Sequence, residues 1–202
     1  MKQPVGVILA GGQGRRMGGA DKALLMLGGQ ALLQHAADRL APQVAELAVN
    51  ANGDPARLPC AGLTVLPDAV AGQPGPLAGI LAALDWAAAT GAASVVTVPV
   101  DTPFLPPDLV PRLLLAGGGG PAIACTGGAR ARDHPVVGLW PADLRAGLRD
   151  RLAAGQRRVV DWADAVGAAR APFPDSRAFF NVNRPEDIEA AEVMIRAGAS
   201  GG

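Results

Sequence analysis

Residues 5–22 read VGVILAGGQGRRMGGADK. The first six are apolar at successive positions instead of alternate ones, the pattern of a strand covered by helices on both faces. The run stops at Gly11-Gly12 and gives way to two arginines, more glycines and Lys22. SVVTVPV at 94–100 repeats the continuous apolar pattern. Working outward, strand-like runs at 45–51, 63–67, 121–126, 134–140 and 178–182 interleave with helical stretches at 31–41, 76–89, 107–116, 141–155, 157–167 and 185–198. Helix starts are marked by Pro107 before Asp108, Pro141 before Asp143, and Pro185-Glu186-Asp187. This order predicts an α/β fold of three layers, with a doubly wound, mostly parallel sheet.

The 202 residues suit one domain, read as residues 1–198 with a loose tail at 199–202, and such a chain removes roughly 70% of its unfolded surface from water. Gly117 to Gly120 reads as a loop within that domain. The hydrophobic half of the composition excludes general disorder. The 18 basic and 18 acidic side chains cancel, leaving no global field to hold nucleic acid or an anionic membrane. Any cationic site must therefore be local. The first apolar run is too short for a signal peptide, and charges or glycines break the later ones before membrane-spanning length, so a cytoplasmic location is expected. Cys60 and Cys125 have no CxxC or His-rich neighbourhood and receive no role.

In an open α/β sheet, ligands bind beyond the carboxyl ends of the strands. The residues expected there are polar: Gly11 to Lys22, Asn50 and Asn52, Asp68, Asp101, and Asn181 and Asn183. Glycines let backbone N–H groups surround an anion, and Arg15, Arg16 and Lys22 supply charge, so the first loop has the makings of a polyphosphate cradle. It is neither of the two commonest cradles. The dinucleotide fingerprint GxGxxG fails at Met17, and the P-loop pattern fails because the chain contains no Gly-Lys pair.

Leu9 to Lys22, LAGGQGRRMGGADK, resembles instead the signature loop of nucleotidyltransferases that join a sugar or cofactor phosphate to a nucleoside triphosphate. Within that superfamily, VNAN (49–52), PGPLAGI (74–80), VDTPFLPPDL (100–109), RDHPVVGLW (132–140), GQRRVVDW (155–162) and FFNVNRPEDI (179–188) resemble the molybdenum cofactor guanylyltransferases. The resemblance covers essentially the whole chain. It implies a Rossmann-like nucleotidyltransferase fold and the transfer of GMP from GTP to the terminal phosphate of molybdopterin or its molybdenum form. The products are then the molybdopterin guanine dinucleotide and pyrophosphate. Mg²⁺ is the implied cofactor, with molybdoenzymes or their maturation chaperones as recipients of the product.

The second pKa of a phosphate monoester is about 6, so the acceptor is already mostly dianionic at neutral pH and needs no protein base. Catalysis then consists of bringing two anions together and stabilising the leaving pyrophosphate. The resemblance implies a metal-binding, GTP-binding and catalytic role for Asp101, whose hard oxygens suit Mg²⁺. Read alone, Asp101 serves equally well as a turn or helix cap. Lys22, at the end of the signature loop, is assigned to the triphosphate and to catalysis, with Arg16 in a similar role and Arg15 facing water. Leu9, Ala10, Gly11 and Gly12 complete the loop's contribution to GTP. Asn50 and Asp68 match GTP-binding positions, and guanine's donors favour an acceptor such as Asp68 opposite them. Gly79 lies where backbone either approaches the ligand or begins a helix. Asn181, Asn183, Arg157 and Arg158 are expected to hold the pterin, across the same sheet edge from GTP but without sharing a ligand with it. His134 reads equally as a turn-fixing residue or a substrate contact, and Leu77, Leu81, Leu84 and Trp86 as core.

Two other readings compete. A sister enzyme would transfer CMP to the same cofactor, or use another phosphate acceptor. The Leu-Ala-Gly-Gly of residues 9–12 argues against it, because many cytidine- and sugar-specific relatives carry Leu-Ala-Ala-Gly there. A non-catalytic, nucleotide-binding delivery protein would keep the cradle but has no need of Asp101.

Overall fold

A computed structural model describes residues 3–11, 21–59, 62–70, 75–127 and 131–199. Its strands are β1 (Val5–Leu9), β2 (Met26–Leu27), β3 (Gln30–Ala31), β4 (Leu47–Asn50), β5 (Thr64–Leu66), β6 (Ser94–Pro99), β7 (Ala122–Thr126), β8 (Arg132–Pro141) and β9 (Ala169–Phe173). Its α-helices are α1 (Leu32–Leu40), α2 (Pro76–Ala89), α3 (Leu109–Gly117), α4 (Arg145–Ala153), α5 (Val159–Ala165) and α6 (Pro185–Ala199). No helix among the described residues is long and apolar enough to cross a membrane.

Seven strands form one sheet in the order β5-β4-β1-β6-β8-β7-β9. All neighbouring pairs are parallel except the two made by β8, which runs against both β6 and β7. Two reversals restore direction, so β7 and β9 point the same way as β1. The carboxyl ends of six strands, and the start of β8, therefore share one edge.

The continuous apolar runs have the predicted consequence. Val5, Val7 and Leu9 of β1 pack on one face with α2, α4 and α5. Ile8, and Ala10 just beyond β1, pack on the other face with α1 and α3. Each fully buried Leu or Ile in these layers contributes about 1.5–3 kcal/mol. Leu77, Leu81 and Leu84 are fully buried as expected, whereas Trp86 is only partly covered. A third, smaller cluster of Leu27, Leu32, Val182 and Ala191 seats α6 and the β2–β3 ribbon beside the sheet edge. Gly118, with φ +56°, ends α3 in the left-handed region and opens the expected glycine loop.

One expected strand is absent. Residues 178–182 do not pair in the sheet: the Asp175 carboxylate accepts from Arg177 N at 2.9 Å and starts a 3-10 turn over Ser176–Phe179. The last strand is β9, read as no element because Arg170 and Pro172 interrupt its apolar pattern. Both point outward on an edge strand, where a missing N–H and a charge are tolerated and discourage further pairing. The β2–β3 hairpin was also not foreseen, although Gly28 and Gly29, both at positive φ, are a strong two-residue turn signal.

Candidate active site

Five connections converge on the shared edge. After β1, the Asp21 carboxylate accepts from Ala23 N at 3.1 Å and caps the 3-10 turn Lys22–Leu24. That turn aims Lys22 toward the segment after β6, where its Nζ lies 2.8 Å from Asp101 Oδ2. The same nitrogen donates to Asn183 Oδ1 at 2.5 Å. One ammonium thus joins residues separated by 79 and 161 positions.

Asp101 has a second oxygen with a different fate. Its Oδ1 is buried and has no hydrogen-bond partner among the described residues. An unpartnered buried acceptor costs about 1–3 kcal/mol, more when charged, and a hard cation would relieve that cost. No group of three His, Cys, Asp or Glu side chains capable of holding a metal occurs among the described residues. An ion at Asp101 would therefore draw most of its ligands from water and phosphate, as Mg²⁺ commonly does.

The strap that leads into α6 holds this cluster from the other side. Val182 N donates to Asp101 O at 2.8 Å, and Thr102 Oγ1 donates to Asn181 Oδ1 at 3.0 Å. Asp187 Oδ2 accepts from both Asn183 N (2.7 Å) and Arg184 N (2.9 Å), which fixes the backbone that carries the Asn183 amide. The two halves expected to stay separate meet at Asn183.

A second polar group lies past β4 and β5. Asn50, 2% exposed, donates from Nδ2 to Leu66 O and to Asp68 Oδ1, each at 3.1 Å. Asn52 makes a two-point pair with Asp68: its Nδ2 donates to Asp68 Oδ2 at 2.7 Å, and its Oδ1 accepts from Asp68 N at 3.0 Å. Asp68 is thereby oriented by two amides. Gly79 in α2 owes its identity to this group, since a Cβ there would lie 2.3 Å from Asn50 Oδ1. Its role is to leave room for the amide. Gly11 is less crowded, since a Cβ on it would fall 3.3 Å from the same oxygen. Leu9 and Ala10 are buried, and Ala10 N is committed to Asn50 O at 2.8 Å.

Of the other expected residues, Gly12, Arg15, Arg16 and Cys60 lie outside the described residues. Arg157 turns back on its own chain, donating to Gln156 O at 2.8 Å and Leu152 O at 3.2 Å. Arg158, 75% exposed, pairs with Asp161. Neither arginine is joined to Asn181 or Asn183 by a hydrogen bond or ion pair. His134 has its Nε2 2.9 Å from Thr126 Oγ1 and its ring stacked on Phe179 at 4.5 Å. Burial, aided by the Arg132 charge and opposed by Asp133, holds its pKa below the usual histidine value. Those contacts account for the residue as a structural one. Cys125 is a buried free thiol, its pKa raised chiefly by that burial.

Thr102 and Asp187 were missed as contributors. Only Thr102 had a signal, its position directly after Asp101. A groove of about 830 Å³ between α1 and the β4–β5 edge, lined by Gln34, Asp38, Leu47 and Leu63 among others, includes none of the residues of either polar group.

The family model for the MobA-like NTP transferase domain matches residues 6–167. A protein of Cereibacter sphaeroides named molybdenum cofactor guanylyltransferase is 57% identical over 194 residues, which cover 96% of this chain and 98% of that one. Among solved structures, the molybdopterin-guanine dinucleotide biosynthesis protein A of Archaeoglobus fulgidus aligns with a TM-score of 0.73 at 22% identity, over 96% of this chain and 99% of its own. The 2-C-methyl-D-erythritol 4-phosphate cytidylyltransferase of Thermus thermophilus aligns with a TM-score of 0.71 at 21% identity, over 97% and 100%. The fold is thus shared with a protein named for another nucleotide, and sequence identity is what narrows the family. On a domain match spanning most of its length and a relative 57% identical from end to end, the chain belongs to the MobA-like NTP transferase family.

Proposed function

We propose that the protein transfers GMP from GTP to the terminal phosphate of molybdopterin or its molybdenum form. An acceptor phosphate oxygen forms a bond to the α-phosphorus of GTP, the bond from that phosphorus to the bridging oxygen of the β-phosphate breaks, and pyrophosphate leaves. The observation that carries the reading is the meeting of Lys22, Asp101 and Asn183 on the same sheet edge as the tethered Asn50–Asp68 pair. The names of the close relatives supply the substrates.

Each group has a task in that reaction. Lys22 gives a point charge to phosphate oxygens and offsets charge building on the leaving group. Asp68, held by Asn50 and Asn52, presents carboxylate lone pairs suited to guanine's N1–H and N2–H₂. Asn181 has an amide nitrogen without a protein partner among the described residues, free to donate to the acceptor. Gly11 keeps side-chain bulk away from Asn50 and Asp68. Asp101 would hold Mg²⁺ through its unpartnered Oδ1. When bound, that ion would screen the anions from one another. The reading puts the protein in the cytoplasm, passing its dinucleotide product to molybdoenzymes or the proteins that mature them.

The test supplies purified protein with GTP, ATP or CTP, Mg²⁺ and molybdopterin, and follows pyrophosphate release. GTP should be preferred by more than about tenfold, the roughly 1.4 kcal/mol of one good hydrogen bond left unmade by the wrong base. Release should stop when molybdopterin is omitted or the metal is chelated. Equal use of CTP would replace this reading with the cytidylyltransferase one, and no release with any nucleotide would point to a delivery protein.

A further inference from the structure

Arg57 lies in a 3-10 turn, Pro55–Arg57, between β4 and β5. The turn is well anchored: Asp54 Oδ1 accepts from Ala56 N at 2.9 Å, and Leu58 behind it is buried. From that mount the guanidinium forks. One terminal nitrogen pairs with Asp21 Oδ2, and the other donates to the backbone oxygen of Asn52 at 2.7 Å. Asp21 precedes Lys22 and divides its carboxylate, with Oδ1 capping the Lys22 turn and Oδ2 taking Arg57. Asn52 is the residue that orients Asp68 at two points.

We propose that Arg57 is a positioning residue that straps the Lys22 turn to the Asn52–Asp68 group and so presets the spacing of the two elements that receive GTP. The strap rests on the GTP reading above. The planar fork reaches the two acceptors from two separate nitrogens, a span that lysine's single nitrogen reproduces only in part. The pair is partly shielded, with side-chain exposures of 32% for Arg57 and 20% for Asp21, so water does not cancel it as at an open surface. A preset cleft binds its ligand without first ordering two loops, so the strap acts on affinity and not on the chemical step.

The test compares Arg57→Ala, Arg57→Lys, Asp21→Asn and the Arg57→Ala/Asp21→Asn double variant with wild type, by titration calorimetry with GTP and by steady-state transfer assays. Asp21→Asn keeps an oxygen for the Ala23 cap while losing the ion pair. Arg57→Ala should weaken GTP binding and raise its KM about three- to tenfold, with kcat and the KM for molybdopterin changing less than about twofold. Arg57→Lys should recover part of the loss. The double variant should be no worse than the poorer single variant, because both remove one interaction. Unchanged GTP affinity in folded Arg57→Ala, or fully additive losses in the double variant, would overturn the strap. A lowered melting temperature with KM intact would also overturn it, leaving Arg57 a merely structural residue. Wild type that fails to bind GTP at all would overturn the GTP reading and the strap together, whereas wild type that binds while Arg57→Ala binds equally well sinks the strap alone.

Discussion

The two halves of the ligand edge are built differently. On the β1, β4, β5 and β6 side, these strands are parallel to one another, and three functional groups sit within two residues of a strand's end: Asn50 ends β4, Asp68 follows β5, and Asp101 follows β6. On the other side, β8 runs backwards, and Asn181 and Asn183 lie on a strap with no strand beneath them. The first half sets the backbone of its polar groups by the sheet itself, with Asn50 and Asn52 then orienting the Asp68 carboxylate. The second holds them by side chains, through Thr102, Asp187 and Lys22.

The largest effects should come where the halves meet. Lys22→Ala and Asp101→Ala should each lower kcat/KM by more than about a hundredfold, the scale seen when a charge-stabilising group is removed from a reaction centre. Both side chains are at the edge and outside the apolar clusters, so circular dichroism should report an unchanged fold. Near-normal turnover of either variant at saturating GTP and Mg²⁺ would remove it from the reaction centre and break the comparison at its hinge.

A smaller effect tests the sheet-held half. Gly79→Ala puts a Cβ 2.3 Å from Asn50 Oδ1 and 3.2 Å from Leu9 Cδ2. Asn50 is buried and bonded at both Leu66 O and Asp68, so the amide has to move and release Asp68. GTP affinity should fall about tenfold, the loss of roughly one well-made hydrogen bond to a charged group. Alanine in place of glycine favours the helix by about 0.8–1.0 kcal/mol, which offsets part of the strain, so the melting temperature should move little. Tight GTP binding by this variant would mean that Asn50 and Asp68 do not work as a unit.

This contrast also explains what the sequence revealed. Parallel strands carry their carboxyl ends to one edge, so finding the runs at 5–10, 45–51, 63–67 and 94–100 was enough to bring Lys22, Asn50, Asp68 and Asp101 to a common edge. The same logic misled at 178–182: two phenylalanines suggested a strand, while Asp175 capped a turn and β9 hid behind Arg170 and Pro172. No periodicity announces that Asn183 will meet a lysine 161 positions away, or that Gly79 must be small to admit Asn50. Arg57 was equally silent, because an arginine in a polar loop is ordinarily a solvated one.

The smallest expected effect separates Asn183 from its neighbour Asn181. Asn183 Oδ1 accepts from Lys22, whereas Asn181 Oδ1 accepts from Thr102 and never touches the lysine. If Asn183 aims Lys22 at the triphosphate, Asn183→Ala leaves that ammonium with Asp101 as its remaining partner among the described residues, and the charge swings away from where GTP needs it. GTP affinity should then fall about three- to tenfold, in keeping with the roughly 1.5–3 kcal/mol of a hydrogen bond to a charged group less what water restores. Asn181→Ala should leave GTP affinity within about twofold and raise the KM for molybdopterin instead, if its amide nitrogen, without a partner among the described residues, serves the acceptor as proposed. Titration calorimetry with GTP on both variants, followed by transfer assays at varied molybdopterin, measures the split. Equal GTP affinity in both variants, with both losing acceptor binding, would return Asn183 to the pterin side and restore two halves that share no ligand. A GTP loss in Asn181→Ala as large as in Asn183→Ala would show instead that the whole strap, held to Asp101 by Val182 N, moves as one piece.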